Sequence, residues 1–265
     1  MANQESYSIN TTPYQNIYIS NGDAVISMYK QTQKPKHTLV LFPGFAKTVE
    51  THQLLTKVFM WGLNNKYNVV ITKTPINNID LLNQKINLNY KYPELQALYN
   101  KCMQEIQIAT NDNKIHIVAH SGATTLLTTY FNDCIKTGLQ PPIGSAIFFA
   151  PYPTNPVIFD TLMKHADKTD NQNTKTKLHN IIPFLQFVID STNQIDPTFM
   201  SQYTFPIHLI CGKADKNVSI NNILTKFIIP AANKNISLIV VPGGHNLNTN
   251  TYDLPMKILT QQNEH

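Results

Sequence analysis

The segment Lys114–Ala123 constrains the fold of this chain more than any other stretch. It starts with an apolar, partly β-branched run at residues 115–119, which predicts a short buried strand. Small residues then surround Ser121, and the apolar positions that follow have helical spacing. A tight turn between such a strand and helix would lift the serine hydroxyl above the sheet. The helix N-terminus would direct backbone N–H groups to the same point, where they favour negative charge.

The turn by itself allows two interpretations of Ser121. A nucleophilic serine on such a turn usually stands in the pattern Gly-x-Ser-x-Gly, whereas Ala119 and Ala123 occupy the two glycine positions here. Alanine adds only one carbon, so the strand and the helix can still pack closely across the turn. Serine is also a favoured residue at a helix N-terminus, where its side chain caps the first turn. The segment therefore predicts either a nucleophile or a helix cap.

Strands and helices alternate along most of the chain. Residues 16–30 predict a β-hairpin with its turn at Asn21-Gly22-Asp23, and later apolar runs predict strands at 38–42, 68–72, 145–150, 207–211 and 237–241. Helices are predicted at 51–63, from Pro93 onward, after Ser121, and at 221–229 and 252–262. This alternation predicts an α/β fold with a mostly parallel sheet and helices on both faces. Sites in such sheets lie beyond the C-terminal ends of the strands.

The alternation stops in two segments. Residues 75–90 are rich in asparagine and poorly periodic, which predicts a loop with at most a short helix. In the second segment, residues 167–177 are polar and predict an exposed loop, whereas residues 181–189 are strongly apolar. We therefore divide the chain into a core formed by residues 1–150 and 206–265 and an insertion formed by residues 151–205.

Two further turns carry side chains that could activate Ser121. Asp215 follows the strand predicted at 207–211, and His245 follows the strand predicted at 237–241 after two glycines. A serine hydroxyl is a weak nucleophile unless a base accepts its proton and a third group holds that base. Since the C-terminal ends of parallel strands meet at one edge of a sheet, we expect the three side chains to converge there.

Four short motifs are similar to those of the α/β-hydrolase family, over roughly residues 15–262. They are Leu41-Phe42-Pro43-Gly44-Phe45, His120-Ser121-Gly122, Gly212-Lys213-Ala214-Asp215 and Gly243-Gly244-His245. Ser121, Asp215 and His245 also occur in the chain order of that family's catalytic triad. The resemblance implies the α/β-hydrolase fold, and residues 151–205 stand where the family carries its cap.

The resemblance also implies a role for each site residue. Ser121 would be the nucleophile, His245 the general base and then the general acid, and Asp215 the group that orients the histidine. The backbone N–H groups of Phe45 and Gly122 would form the oxyanion hole. Four apolar side chains in the cap-like segment could line an acyl pocket or simply pack on the core; they are Phe184, Leu185, Phe187 and Val188.

The implied activity is hydrolysis of a small or medium carboxylic ester or thioester through an acyl-enzyme on Ser121, with no cofactor. The substrate would be a small molecule with an apolar acyl part, either free or bound to a carrier. The same three residues could serve an acyl-carrier thioesterase, an acyltransferase or a C–C hydrolase. A non-catalytic ligand-binding protein of the same fold is an alternative of another class, and an intact triad argues against it. A structural or scaffold function is a third class, and only the asparagine-rich loops favour it.

Composition argues against several other classes of function. The 21 basic residues are all lysine and are scattered along the chain, so a net charge of +5 does not predict nucleic-acid binding. Without arginine, an anionic substrate would meet lysine or backbone N–H groups. The 3 cysteines are widely spaced and predict reduced thiols rather than disulfides or a metal site. We see neither a signal peptide nor a membrane-spanning run, so we expect a cytoplasmic protein without stable membrane insertion.

Overall fold

A central eight-stranded sheet organises the computed structural model, which describes residues 12–29, 37–45, 47–87, 92–111, 114–153 and 157–262. The strands are β1 (Gln15–Ile19), β2 (Ala24–Tyr29), β3 (Thr38–Phe42), β4 (Asn68–Lys73), β5 (Ile115–His120), β6 (Ile143–Phe149), β7 (Ile207–Gly212) and β8 (Ile236–Val241). Their order across the sheet is β1-β2-β4-β3-β5-β6-β7-β8. The β1–β2 and β2–β4 pairs are antiparallel and the remaining pairs are parallel, which confirms the predicted hairpin and the mostly parallel sheet.

Helices connect the strands and cover both faces of the sheet. They are α1 (Gln53–Asn64), α2 (Ile79–Asn87), α3 (Tyr92–Thr110), α4 (Gly122–Lys136), α5 (Val157–Lys168), α6 (Gln172–Gln194), α7 (Pro197–Met200), α8 (Ile220–Ile223), α9 (Ile229–Ala231) and α10 (Leu254–Gln262). A π-helical segment, Leu224–Ile228, joins α8 to α9.

Strand β3 shows how the sheet is buried from both sides. All five of its residues are buried, as expected for a parallel strand covered on both faces. Leu39 and Leu41 belong to an apolar cluster shared with α1 and α10. Val40 and Phe42 belong to a second cluster shared with α3 and α4. Successive side chains of a strand point to opposite faces. One short apolar run therefore contributes to the apolar clusters on both faces of the sheet.

Residues 75–90 are more helical than the sequence pattern predicted. A 3₁₀ turn at Pro75–Asn77 leads into α2, and only residues 88–90 of the predicted loop lie outside the described residues. The Asn78 side chain accepts a hydrogen bond from the backbone N–H of Leu81 at 3.1 Å. Asparagine therefore caps this helix rather than interrupting it. Leu82 belongs to an apolar cluster with residues of α6, which holds α2 in place.

Residues 167–177 are largely exposed, as predicted, but most of them are helical rather than loop. Helix α5 continues to Lys168, and α6 begins at Gln172. Asn171 caps α6 by accepting a hydrogen bond from the backbone N–H of Thr174 at 3.1 Å. The first turns of α6 lie on the surface and therefore lack apolar residues, so hydrophobic periodicity is missing there even though the backbone is helical. Helices α5, α6 and α7 together form the insertion between β6 and β7.

All three cysteines are free thiols. Cys102 in α3 and Cys211 in β7 are buried, and Cys134 in α4 is half-buried. Across the described ranges, we find no helix with the length and apolar character needed to cross a bilayer. Within the same ranges, no three His, Cys, Asp or Glu side chains come together in a group that could hold a metal ion.

Candidate active site

The C-terminal ends of four parallel strands meet where the predicted site residues lie. Phe45 follows β3, Ser121 follows β5, Asp215 follows β7 and His245 follows β8. β3 pairs with β5 and β7 pairs with β8, all in parallel register, so these ends lie at one edge of the sheet. The structure therefore brings together the side chains that were predicted to converge.

Ser121 occupies a strained turn between β5 and α4. Its backbone φ of 52° and ψ of −129° lie in a region that residues other than glycine rarely adopt. A hydrogen bond from its backbone N–H to the carbonyl of Phe149, at 2.9 Å, helps to hold the turn. The Ser121 side chain makes no capping hydrogen bond to α4. The geometry therefore argues against the helix-cap interpretation of this serine.

Hydrogen bonds join Ser121, His245 and Asp215 in a continuous chain. Ser121 Oγ lies 2.9 Å from His245 Nε2, and His245 Nδ1 lies 2.9 Å from Asp215 Oδ2. The Asp215 side chain is fully buried, whereas that of His245 keeps 22% of its surface exposed. The second carboxylate oxygen, Oδ1, accepts hydrogen bonds from the backbone N–H groups of Asn217 at 2.8 Å and Val218 at 3.2 Å. These contacts leave Asp215 Oδ2 positioned to accept a hydrogen bond from the N–H at His245 Nδ1.

This arrangement fixes which nitrogen of His245 is available to the serine. A carboxylate can only accept hydrogen bonds, so Asp215 holds the histidine proton on Nδ1. Nε2 is then unprotonated and faces Ser121 Oγ, from which it can accept a proton. The three side chains can therefore activate a hydroxyl for attack on an electrophilic carbon.

Glycines let the three turns approach one another closely. A Cβ atom on Gly212 would lie 2.6 Å from the carbonyl oxygen of Gly243, so the turns that carry Asp215 and His245 meet backbone to backbone. A Cβ atom on Gly44 would lie 2.7 Å from His120 Nδ1 and 3.0 Å from Ser121 Cβ. A side chain at either position would push the turns apart and separate the hydrogen-bonded groups.

The two predicted oxyanion-hole residues lie beside the serine. Phe45 and Gly122 line the same cavity as Ser121 and His245. The turn before Phe45 is held by Asn77, whose side-chain Nδ2 donates to the backbone carbonyls of Pro43 at 2.8 Å and Gly44 at 3.1 Å. Asn77 is buried, with 6% of its surface exposed. It is therefore placed to fix the orientation of the Phe45 N–H.

Sequence reasoning missed Asn77 because it lies in the asparagine-rich segment that was predicted as a loop. A local signal does exist in the chain. Asn77 Oδ1 accepts hydrogen bonds from the backbone N–H of Thr74 at 2.9 Å and from Thr74 Oγ1 at 3.1 Å. This is a capping box, for which a threonine three residues before a polar side chain is the sequence signature. The signature predicts a local turn but not the contact with Pro43 and Gly44.

Replacing Asn77 with alanine is expected to lower kcat by about 10- to 100-fold with a smaller change in KM. The substitution would misplace the Phe45 N–H, which the family resemblance assigns to the oxyanion hole. The matched control is Asn78→Ala, which removes the neighbouring cap of α2 and should cost about 1 kcal/mol of stability without lowering kcat. Steady-state kinetics and urea unfolding of both variants separate the two effects. An equal loss of kcat in both variants contradicts a positioning role for Asn77.

An apolar cavity opens onto the serine from beneath α6. The described residues that line it besides Phe45, Ser121, Gly122 and His245 are Ile76, Pro153, Leu185, Val188, Ile189 and Asn217. Two of the four predicted pocket residues, Leu185 and Val188, are thus in the lining. Leu185, Val188 and Ile189 have i, i+3, i+4 spacing and share one face of α6.

The other two candidate pocket residues, Phe184 and Phe187, lie elsewhere on α6. Of the side chains that the structure describes, neither of these two belongs to the cavity lining. Phe184 packs against the cluster shared by α2 and α6, and Phe187 lines a separate groove with Thr129 and Asn132. Each helical residue is rotated by about 100° from the one before, so an apolar run on a helix cannot all face one pocket. A continuous apolar run does not indicate which of its residues face the pocket.

Two buried histidines, His120 and His52, lie close to His245. The ring of His120 lies 5.0 Å from the His245 ring and 4.5 Å from the His52 ring, and His120 Nε2 contacts the backbone oxygen of His245 at 3.2 Å. Burial lowers the pKa of His120 well below its usual 6.5, with a smaller effect from its histidine neighbours. Burial also lowers the pKa of His52 to about 4, and the charge of Lys47 acts in the same direction. Both rings are therefore neutral near pH 7 and can pack against His245 without repelling a positive charge there.

We expect the free energy of unfolding to fall as the pH drops from about 6.5 to about 4. In this range the unfolded chain binds a proton at His52 and the folded chain does not, so protons favour unfolding. The loss attributable to His52 is about 3 kcal/mol. His52→Leu should remove that part, since neither ring nitrogen has a hydrogen-bond partner within the described residues. Urea unfolding at several pH values measures the slope, and an unchanged slope in the variant contradicts this assignment.

Comparisons with known proteins identify the fold that carries this site. Neither a protein-family profile nor a curated protein sequence matches the chain. The esterase Pf2001 of Pyrococcus furiosus superposes with a TM-score of 0.61 at 15% identity, over 94% of this chain and 87% of that one. A carboxylesterase of the ammonia-oxidizing thaumarchaeon Nitrososphaera gargenis superposes with a TM-score of 0.62 at 11% identity, over 94% of this chain and 99% of that one.

A third solved structure gives the same result. The thioesterase domain from the curacin biosynthetic pathway superposes with a TM-score of 0.59 at 11% identity, over 93% of this chain and 98% of that one. The three superpositions cover 93–94% of this chain and 87–99% of the other chains. This chain has the α/β-hydrolase fold.

Proposed function

We propose that this protein is a serine-dependent hydrolase that cleaves carboxylic esters or thioesters of small molecules. The observation that supports the proposal is the chain of two hydrogen bonds through His245. Ser121 Oγ lies 2.9 Å from His245 Nε2, and His245 Nδ1 lies 2.9 Å from Asp215 Oδ2. A nucleophile, a base and a group that orients the base are the components that acyl transfer requires. The solved esterase, carboxylesterase and thioesterase with the same fold agree with this class of reaction.

The first half of the reaction would form an acyl-enzyme. His245 Nε2 accepts the Ser121 proton while Oγ attacks the substrate carbonyl carbon. The negative charge that develops on the carbonyl oxygen is stabilised by the backbone N–H groups of Phe45 and Gly122, the second of which lies at the N-terminus of α4. The bond to the leaving alkoxide or thiolate then breaks, and His245 Nε2–H protonates that group. Asp215 remains a carboxylate throughout and stabilises the protonated imidazole.

The second half would release the acid. Water replaces the alcohol or thiol, and His245 Nε2 accepts one of its protons as its oxygen attacks the acyl carbon. The bond from that carbon to Ser121 Oγ breaks, and His245 returns the proton to Oγ. The products are a carboxylic acid and the free enzyme. The two neutral histidines behind His245 add no charge that would oppose its protonation.

The cavity lining supports an uncharged, apolar acyl group. Apart from the site residues, the described lining consists of aliphatic side chains, Pro153 and Asn217. None of the described residues in the lining is a lysine. Of the lysines in the insertion, Lys177 is ion-paired with Asp80 at 2.5 Å rather than directed into the site. We therefore take a free small ester, rather than a carrier-bound substrate, as the first substrate to test.

The proposal is tested by measuring initial rates of hydrolysis of an acetyl ester and an acetyl thioester by the purified protein. We expect saturable turnover of at least one of them, proportional to enzyme concentration. Adding an alcohol as competing acceptor distinguishes hydrolysis from acyl transfer, because a transferase would form the new ester in preference to the acid. Folded protein that binds the esters without turnover would support a ligand-binding function and overturn the proposal.

A further inference from the structure

The cavity above Ser121 is small. The space inside it that is open to the centre of a water-sized sphere is about 30 Å³. That volume leaves room for a few waters rather than for a long acyl chain. The reacting carbonyl group must itself sit between Ser121 Oγ and the N–H groups of Phe45 and Gly122. Little space remains beyond the carbonyl for the rest of the acyl chain.

Two side chains set the upper limit of the cavity. A methyl group built on Gly122 would lie 3.2 Å from Val188 Cγ1 and 3.5 Å from Ile76 Cδ1. Val188 and Ile76 are 4% and 3% exposed, so both are packed from behind and face the serine turn with their methyl groups. They therefore line the cavity next to the serine turn, on the side of Gly122.

The helix that carries Val188 is fixed near both of its ends. At the C-terminal end, Thr192 Oγ1 lies 2.7 Å from Thr125 Oγ1 of α4, and both threonines are buried. Toward the N-terminal end, Lys177 forms its ion pair with Asp80 of α2. Between these points, Leu185 packs in the apolar cluster that α6 shares with α2. These contacts oppose an outward movement of α6 that would enlarge the cavity.

We propose that this site accepts acetyl-sized acyl groups and excludes longer ones, with Val188 and Ile76 as the residues that set the limit. The inference rests on the proposed function and specifies its substrate class as acetate esters or thioesters. The leaving group is not restricted in the same way, since it departs on the side of His245, whose side chain retains 22% exposure.

The test compares esters that share one leaving group and carry acetyl, butyryl or hexanoyl chains. For the wild-type protein we expect kcat/KM to fall by at least about 10-fold from acetyl to butyryl and again to hexanoyl. Val188→Ala should raise the butyryl-to-acetyl ratio of kcat/KM by at least about 10-fold, because it removes two methyl groups over the turn. Val188→Leu should lower that ratio and also reduce turnover of the acetyl ester.

Phe187→Ala is the matched control, because it shortens the adjacent side chain of α6 on a face that lines a different groove. Its chain-length profile should equal that of the wild type. Equal rates for acetyl and hexanoyl esters in the wild type, or equal shifts in Val188→Ala and Phe187→Ala, overturn this inference alone. Absence of turnover with every ester overturns the proposed function and the inference together. The wild-type profile decides the question even if a variant does not fold.

Discussion

Replacing Ser121 with alanine is expected to lower kcat by roughly 10⁴- to 10⁶-fold while KM stays within a few-fold of the wild-type value. The substitution removes the Oγ atom that would carry the acyl group, so His245 has no hydroxyl to activate. The residual rate would come from the N–H groups of Phe45 and Gly122 acting on a direct attack by water. Initial rates with an acetyl ester, measured over a range of enzyme concentrations, give the ratio.

Ser145→Ala is the matched control for this variant. Ser145 is buried in β6 and hydrogen-bonded to His116 Nδ1 at 2.7 Å, so its loss should lower stability but not kcat. If Ser121→Ala retains more than about a tenth of the wild-type kcat, covalent catalysis at Ser121 is excluded, since removal of a nucleophile costs far more than this.

Ser121→Gly separates the chemical role of the serine from its backbone strain. The φ of 52° and ψ of −129° at this position suit glycine better than any residue with a Cβ atom. We expect Ser121→Gly to be inactive like Ser121→Ala but more stable than it by about 1 kcal/mol. Urea unfolding of the two variants measures the difference. Equal stabilities, or a less stable glycine variant, would show that the turn stores no strain.

Asp215→Asn is expected to lower kcat by roughly 10⁴-fold with little change in KM. The backbone N–H groups of Asn217 and Val218 require an acceptor at the Oδ1 position, so the asparagine oxygen would take that position. Its NH₂ group would then face His245 Nδ1 and force the histidine proton onto Nε2. A protonated Nε2 cannot accept the proton of Ser121.

The exposed Asp190 of α6, hydrogen-bonded to Gln186 Nε2 at 2.8 Å, provides the control. Asp190→Asn changes the net charge by the same amount and should leave kcat unchanged. Steady-state kinetics of both variants at a common pH, with circular dichroism to verify folding, completes the test. Similar kcat values for Asp215→Asn and the wild type would exclude Asp215 as the group that orients His245.

The parts of the structure that could be predicted are those that short segments determine. The run before Ser121 is buried on both faces, so its apolar residues are continuous and indicate a parallel strand without further information. The turns that carry Asp215 and His245 likewise follow apolar runs, although β8 is an edge strand and only partly buried. Because parallel strands align their C-terminal ends, the position of each turn in the sequence was enough to predict that the three side chains meet.

The parts that could not be predicted depend on contacts between distant segments or on solvent exposure. The hydrogen bonds of Asn77 reach residues 33 and 34 positions away, and nothing in its own segment indicates them. The first turns of α6 are polar because they face solvent, and a polar stretch was interpreted as a loop. The face of α6 that meets the cavity follows from how the helix packs on α2 and α4, which apolar content alone does not specify.

The central claim, that Ser121 is an activated nucleophile, is tested most directly by covalent labelling with a small fluorophosphonate, followed by mass spectrometry to locate the adduct. A small probe is appropriate because the cavity over the serine is narrow. We expect a single phosphonyl adduct on Ser121 Oγ, formed at a rate that His245→Ala reduces strongly. An adduct on any other side chain, or no adduct on folded protein, would contradict the claim.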